Sequence, residues 1–102
     1  MVAVLKENEK DSVSSHISDT LKAGAGLCEI NTVKFISENS DDVVNDLLDF
    51  GVNFDKGADG KLTYTLEGAH SVNRVLHSGG DATGREMTVA LANQVLENSN
   101  IK

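Results

Sequence analysis

The densest run of side chains able to do chemistry is Glu67, His70, Arg74 and His77, flanked by Gly68 and by Gly79-Gly80. A carboxylate, two imidazoles and a guanidinium can in principle move protons, hold a metal or bind a charged substrate. The two histidines lie seven positions apart with no third ligand at a metal-binding offset, so partly exposed imidazoles satisfied by backbone or water outweigh a metal site. Glu67 closes a presumed strand ahead of a glycine, which suits a carboxylate standing at a cleft edge; a solvated surface glutamate is the commoner state. Gly79-Gly80-Asp81-Ala82-Thr83-Gly84 leads into a helix whose N-terminus offers N–H groups to an anion, but Asp81 argues against phosphate. Asp81 or Thr83 is expected to cap that helix instead.

Neither a GxGxxG fingerprint nor a Walker A loop occurs. Gly24-Ala25-Gly26 follows a helical pattern rather than an apolar strand, and no third glycine follows at Glu29. Cys28 reads as a small buried hydrophobe rather than a nucleophile, and His16 as a helix-surface residue.

The elements that must position these groups follow from periodicity and punctuation. Residues 1–12 read as a short apolar strand, Val2–Leu5, and a charged connector. Residues 13–51 read as helical. Ser14 or Ser15 is expected to cap a first helix, Asn31 or Thr32 a second and Ser40 a third, which Gly51 stops. Residues 52–78 read as a β-hairpin and a substrate-side loop, with Val52-Asn53-Phe54 paired to Leu62–Thr65 across a turn at Asp59-Gly60. Val72–His77 forms a further strand in this reading. Residues 79–102 contain a last helix with Thr83 and Glu86 at capping-box spacing and Met87, Ala90, Leu91 and Val95 on one face, running to about Asn98. The expected fold class is α+β, with three to four helices and a hairpin.

The bulk numbers bound the function. A chain of 102 residues holds one small core at most. A formal charge of −7 repels a phosphate backbone, so nucleic acid is an unexpected partner. One cysteine cannot form an internal disulfide, which fits a reducing cytoplasm, and no apolar run suits a leader or a membrane span. Val2–Leu5 and Asn100-Ile101-Lys102 read as interrupted elements, so the sequence is expected to be an internal piece of something longer.

The order of segments says more than any one of them. His16–Cys28, Leu48–Asp55, Glu67-Gly68-Ala69-His70-Ser71 and His77–Gly84 together closely resemble the L-aspartate oxidase family across nearly the whole chain. The same order resembles, more loosely, the flavoproteins of succinate dehydrogenase and fumarate reductase, which share Asp19-Thr20 and the Asp81-Ala82-Thr83-Gly84 pattern. Where those dicarboxylate enzymes usually carry an apolar aromatic, this chain has Glu67. Aspartate differs from succinate by an ammonium, and a nearby carboxylate supplies the charge-assisted hydrogen bond that such a group requires.

The resemblance therefore implies a partial subdomain of an FAD-binding flavoprotein domain, with FAD and L-aspartate in the parent enzyme and the rest of that enzyme as partner. It implies that Glu67 orients the substrate and that His70, Ser71, Thr83 and Gly84 lie near substrate or flavin. It also implies that the FAD fingerprint and the catalytic arginine lie outside this sequence, so Arg74 is not assigned that role and the chain alone is expected to bind no FAD. Ala69 replaces the family's usual second glycine. A piece of a succinate or fumarate enzyme is disfavoured by Glu67; a non-catalytic acidic α+β binding module remains a competing reading. Self-association through apolar surface is expected of such a piece.

Overall fold

A computed structural model describes all 102 residues. Four helices carry the architecture: α1 (Val13–Ala23), α2 (Ile30–Glu38), α3 (Ser40–Asp49) and α4 (Thr83–Glu97). Helix α1 packs on α2, and α2 on α3. The core joins Ala3 and Leu5 to Val44 and Leu47 of α3 and to Val52, Phe54 and Leu76, while Met87 and Ala90 bring α4 onto it.

Helix boundaries fall close to the sequence reading, but the caps differ. Ser12, in extended conformation, caps α1 by accepting from Ser15 N–H at 3.2 Å, so Ser14 and Ser15 lie inside the helix. Glu29 caps α2: its longer side chain reaches the N–H groups of both Asn31 and Thr32, at 3.1 and 2.6 Å. Ser40 caps nothing. It is buried at the α2–α3 corner, accepting from Val4 N–H at 3.0 Å and donating to Ser37 O at 2.9 Å. Helix α3 does end at Gly51, whose φ of +90° completes a Schellman turn: Gly51 N–H bonds Leu48 O and Val52 N–H bonds Leu47 O, both at 2.9 Å.

The hairpin expected between Val52–Phe54 and Leu62–Thr65 does not form as a ladder. One bridge, Lys56 with Leu62, closes the Gly57–Gly60 turn, with Gly57 N–H on Lys61 O at 2.9 Å and Thr63 N–H on Asp55 O at 3.1 Å, and the pairing does not extend to Val52–Phe54. The β-structure is instead a sliver one bridge wide. Val75 pairs antiparallel with Val2 on one side and with Thr65 on the other. Leu76 N–H bonds Met1 O at 2.7 Å, and Asp55 N–H bonds His77 O at 2.8 Å, so residues 74–77 form the spine to which the N-terminal segment and the turn both attach. The pairing is made across the chain rather than between neighbours, which local alternation cannot reveal.

Leu76 is fully enclosed at this spine, whereas Leu96 on α4 is 84% exposed. Leu76→Ala should cost about 2–5 kcal/mol by leaving a cavity, and Leu96→Ala no more than about 0.5 kcal/mol. Urea unfolding of the two variants checks this; equal midpoints would contradict the described core.

Candidate functional site

The loop after Thr65 carries the candidate residues, and two polar clusters fix its ends. The first centres on Arg74, which is 0% exposed. Its Nε and Nη2 donate to both oxygens of Asp11 at 2.8 and 2.7 Å, a bidentate pair; Nη1 donates to Asp19 Oδ2 at 2.6 Å, and Nη2 also to Ser15 Oγ at 3.0 Å. His70 Nδ1 lies 3.3 Å from Arg74 Nη1. A guanidinium only donates, so Nδ1 accepts and the ring proton of neutral His70 sits on Nε2. Ser71 donates its N–H and its hydroxyl to Asp19 Oδ2, at 2.8 and 2.7 Å. His70 and Ser71 are thus committed to holding the loop on α1. A hollow of about 430 Å³ beside them is lined by Asp19, Lys22, Ala69, His70 and Ser71.

The second cluster holds the other end. Glu67 is exposed, and its Oε1 lies 3.6 Å from His77 Nε2. His77 Nε2 is 2.8 Å from Thr65 Oγ1, and Nδ1 is 3.1 Å from Gly80 O. Asp55 accepts from the N–H groups of Gly79 and Gly80 at 3.0 and 3.1 Å, both glycines having positive φ. The anion-binding concavity before α4 is therefore filled by the chain's own carboxylate. Thr83 does not cap α4: its hydroxyl accepts from Ser78 N–H at 3.1 Å, and Ala82 occupies the cap position without a side-chain bond. Asp81 makes no cap either. Gly84, the second residue of α4, is exposed, with free space where a Cβ would stand. The two largest hollows, of about 750 and 430 Å³, do not include Glu67 among their walls, so within this chain Glu67 stands on an open face.

His16 is not a plain surface residue. Its ring stacks at a tilt on His70 with centroids 5.7 Å apart, and its Nδ1 is buried without a partner. Cys28 is half-buried and its thiol donates to Thr20 O, in keeping with an inert thiol. Three anchoring positions escaped the reading of reactive residues: Asp11, Asp19 and Asp55. Asp19 and Asp55 lie within segments that carry the family resemblance, and that was their only signal, because their partners are 52–55 and 24–25 positions away.

The model of the FAD binding domain family matches residues 1–102. The chain belongs to the FAD binding domain family. Among its relatives within that family, an L-aspartate oxidase of a Nostoc species is 48% identical over 92 residues, covering 90% of this chain and 16% of the relative. An L-aspartate oxidase of Mycobacterium leprae is 44% identical over 90 residues, covering 88% of the chain and 17% of the relative. A mutant FrdA of Escherichia coli quinol fumarate reductase superposes with a TM-score of 0.86 at 25% identity, over 99% of this chain and 17% of that one. The chain thus spans about one sixth of the length of these FAD-domain proteins. Its own residues do not form a cradle for the dinucleotide: no apolar strand leads through a glycine-rich turn into any of the four helices, and the one nest of glycine N–H groups is taken by Asp55.

The Arg74 cluster makes stability depend on pH with a definite sign. Ser71's N–H, then its hydroxyl, then Arg74 hold the Asp19 carboxyl far below the ordinary carboxylate range. Burial pushes the Asp11 carboxyl up, but Arg74's hydrogen bond and charge, with Ser12's N–H, bring it below its ordinary value. A carboxyl lowered by folding stabilises above its unfolded value of about 3.9 and loses that contribution as pH falls through the folded value. His16 is held below its ordinary range by burial first, then by Arg74 and His70. Its contribution declines as pH falls below the unfolded value of about 6.5. Thermal melts should therefore fall in two stages on acidification. Asp19→Asn should flatten the stage below about pH 4 and, by removing a charge that favours protonated His16, extend the His16 stage to lower pH; an unchanged acid slope would remove Asp19 from this role.

Proposed function

We propose that this segment forms the substrate-side wall of an FAD-dependent L-aspartate oxidase, with Glu67 accepting the α-ammonium of L-aspartate. The observation that carries the reading is the state of Glu67: a carboxylate held on an anchored loop, exposed and with no hydrogen bond from its own chain, the His77 ring standing 3.6 Å away. A succinate site has no use for such a group, whereas an ammonium donates to it directly. The relatives named L-aspartate oxidase support the same reading. The overall reaction is oxidation of L-aspartate to iminoaspartate for NAD biosynthesis, with the flavin supplying the hydride acceptor when bound by the complete enzyme. This chain's share is to orient the substrate through Glu67, with His70, Ser71, Thr83 and Gly84 around it. We place the enzyme in the cytoplasm; no helix is long and apolar enough to cross a membrane.

In the complete enzyme, Glu67→Gln should raise KM for L-aspartate by about 10–100-fold, the worth of one charge-assisted hydrogen bond. The inhibition constant of succinate, which lacks the ammonium, should move less than about twofold. Steady-state kinetics with both ligands check this; a parallel loss of succinate binding would count against the role.

The isolated segment is inactive in this reading and self-associates through apolar side chains that the rest of the enzyme covers. Phe35 and Ile36 of α2 and Leu96 of α4 are 67, 61 and 84% exposed. After incubation with excess FAD, gel filtration should give a colourless species larger than a monomer. Retained absorbance near about 450 nm would show that the segment keeps a cofactor site, and a monodisperse monomer would remove the self-association.

A further inference from the structure

Resting on the L-aspartate reading, we infer that His77 is a positioning residue that holds Glu67 ready for the substrate ammonium without consuming its charge. The argument begins with the ring proton. Gly80 O can only accept, so the 3.1 Å contact places the proton of the neutral ring on Nδ1. Nε2 is then a lone pair. It takes the Thr65 hydroxyl proton at 2.8 Å, a better acceptor position than Val75 O, which lies 3.5 Å from the same hydroxyl.

With Nε2 so engaged, the neutral ring offers no proton to Glu67, although Oε1 stands only 3.6 Å away. The imidazole is a wall that limits where the carboxylate swings, and the carboxylate's acceptor capacity stays open. The ring in turn is aimed by the Gly80 carbonyl, and Asp55 fixes the backbone leading to that carbonyl by holding the N–H groups of Gly79 and Gly80. A relay of contacts thus runs from Asp55 through Gly80 and His77 to Glu67, and it joins the turn before α4 to the substrate-side loop. A neighbour that donated to Glu67 would compete with the ammonium, and one that left it unconfined would let the side chain rotate into solvent at an entropic cost on binding.

The test is a double-mutant cycle in the FAD-loaded complete enzyme. His77→Phe keeps the ring's bulk but removes the two polar contacts that aim it, so the wall is no longer held against Glu67. It should raise KM for L-aspartate roughly tenfold with kcat and succinate inhibition nearly unchanged, and in a Glu67→Gln background the same substitution should change KM by less than about twofold. Asp55→Asn, which can accept only one of the two glycine N–H groups, should reproduce a smaller form of the effect and serves if His77→Phe does not fold. An equal KM effect in the two backgrounds, or a matching loss of succinate affinity, overturns the role of His77 and leaves the L-aspartate reading intact. A wild-type enzyme that does not oxidise L-aspartate overturns that reading, and the role of His77 with it.

Discussion

A guanidinium removed from water must recover its solvation from fixed partners, and Arg74 recovers it from three separate parts of the chain. Asp11 comes from the connector, Asp19 and Ser15 from α1, and His70 from the site loop. An isolated buried charge costs several kcal/mol, so the cluster exists only when all of these parts are in place. Arg74 also lies on the spine, its carbonyl accepting from Ala3 N–H and its N–H bonding Thr65 O. One residue therefore couples the N-terminal segment, the first helix, the β-sliver and the loop that carries Glu67. Two carboxylates face one guanidinium there, and His16, packed beside them, is nonetheless held neutral by burial and by Arg74.

Such a polar centre is needed because the apolar core is thin. Nine hydrophobic residues are buried in the whole chain, while large apolar side chains on α2, α3 and α4 face outward. The small core and the outward-facing apolar faces agree with a segment that spans about one sixth of its relatives. The Arg74 cluster and the Asp55 grip on Gly79-Gly80 set the local geometry that packing alone does not determine. Both are carboxylate contacts across long sequence separations, and each ties a loop to a distant part of the chain.

That division explains what was legible in the sequence. Helices showed through because their signals are local: Leu47 and Val44 on one face of α3, Gly51 at its end, and Met87 and Ala90 on α4. Caps were misplaced by a few residues because several Ser, Thr and Asn positions compete near each start, and the choice between them is made by tertiary partners. Ser40 was drawn into the core by Val4, and Thr83 was taken by Ser78. The hairpin failed because Leu62–Thr65 alternates like a strand, yet Thr65 finds its partner in Val75 and not in the segment before the turn. Glu67 stands out in the sequence through its residue type in a matching motif, and the role given to it is a proposal. Arg74, Asp19 and Asp55 were present in the sequence, but their pairing was not, since nothing local joins residues that far apart.

Ala69 shows how far these anchors over-determine the site loop. Its φ of +71° lies in the left-handed region, where an alanine costs about 1 kcal/mol more than glycine. A free loop would relax away from that conformation. Here His70 N–H bonds back to Glu67 O at 3.3 Å, while the His70 ring and Ser71 are fixed one residue on by Arg74 and Asp19. The backbone between Glu67 and His70 is left no other path. The loop is held where His70 and Ser71 are spent on structure, and Glu67 stands exposed beyond those anchors; in the reading proposed above, its carboxylate is free to meet an ammonium because its neighbours carry the structural load.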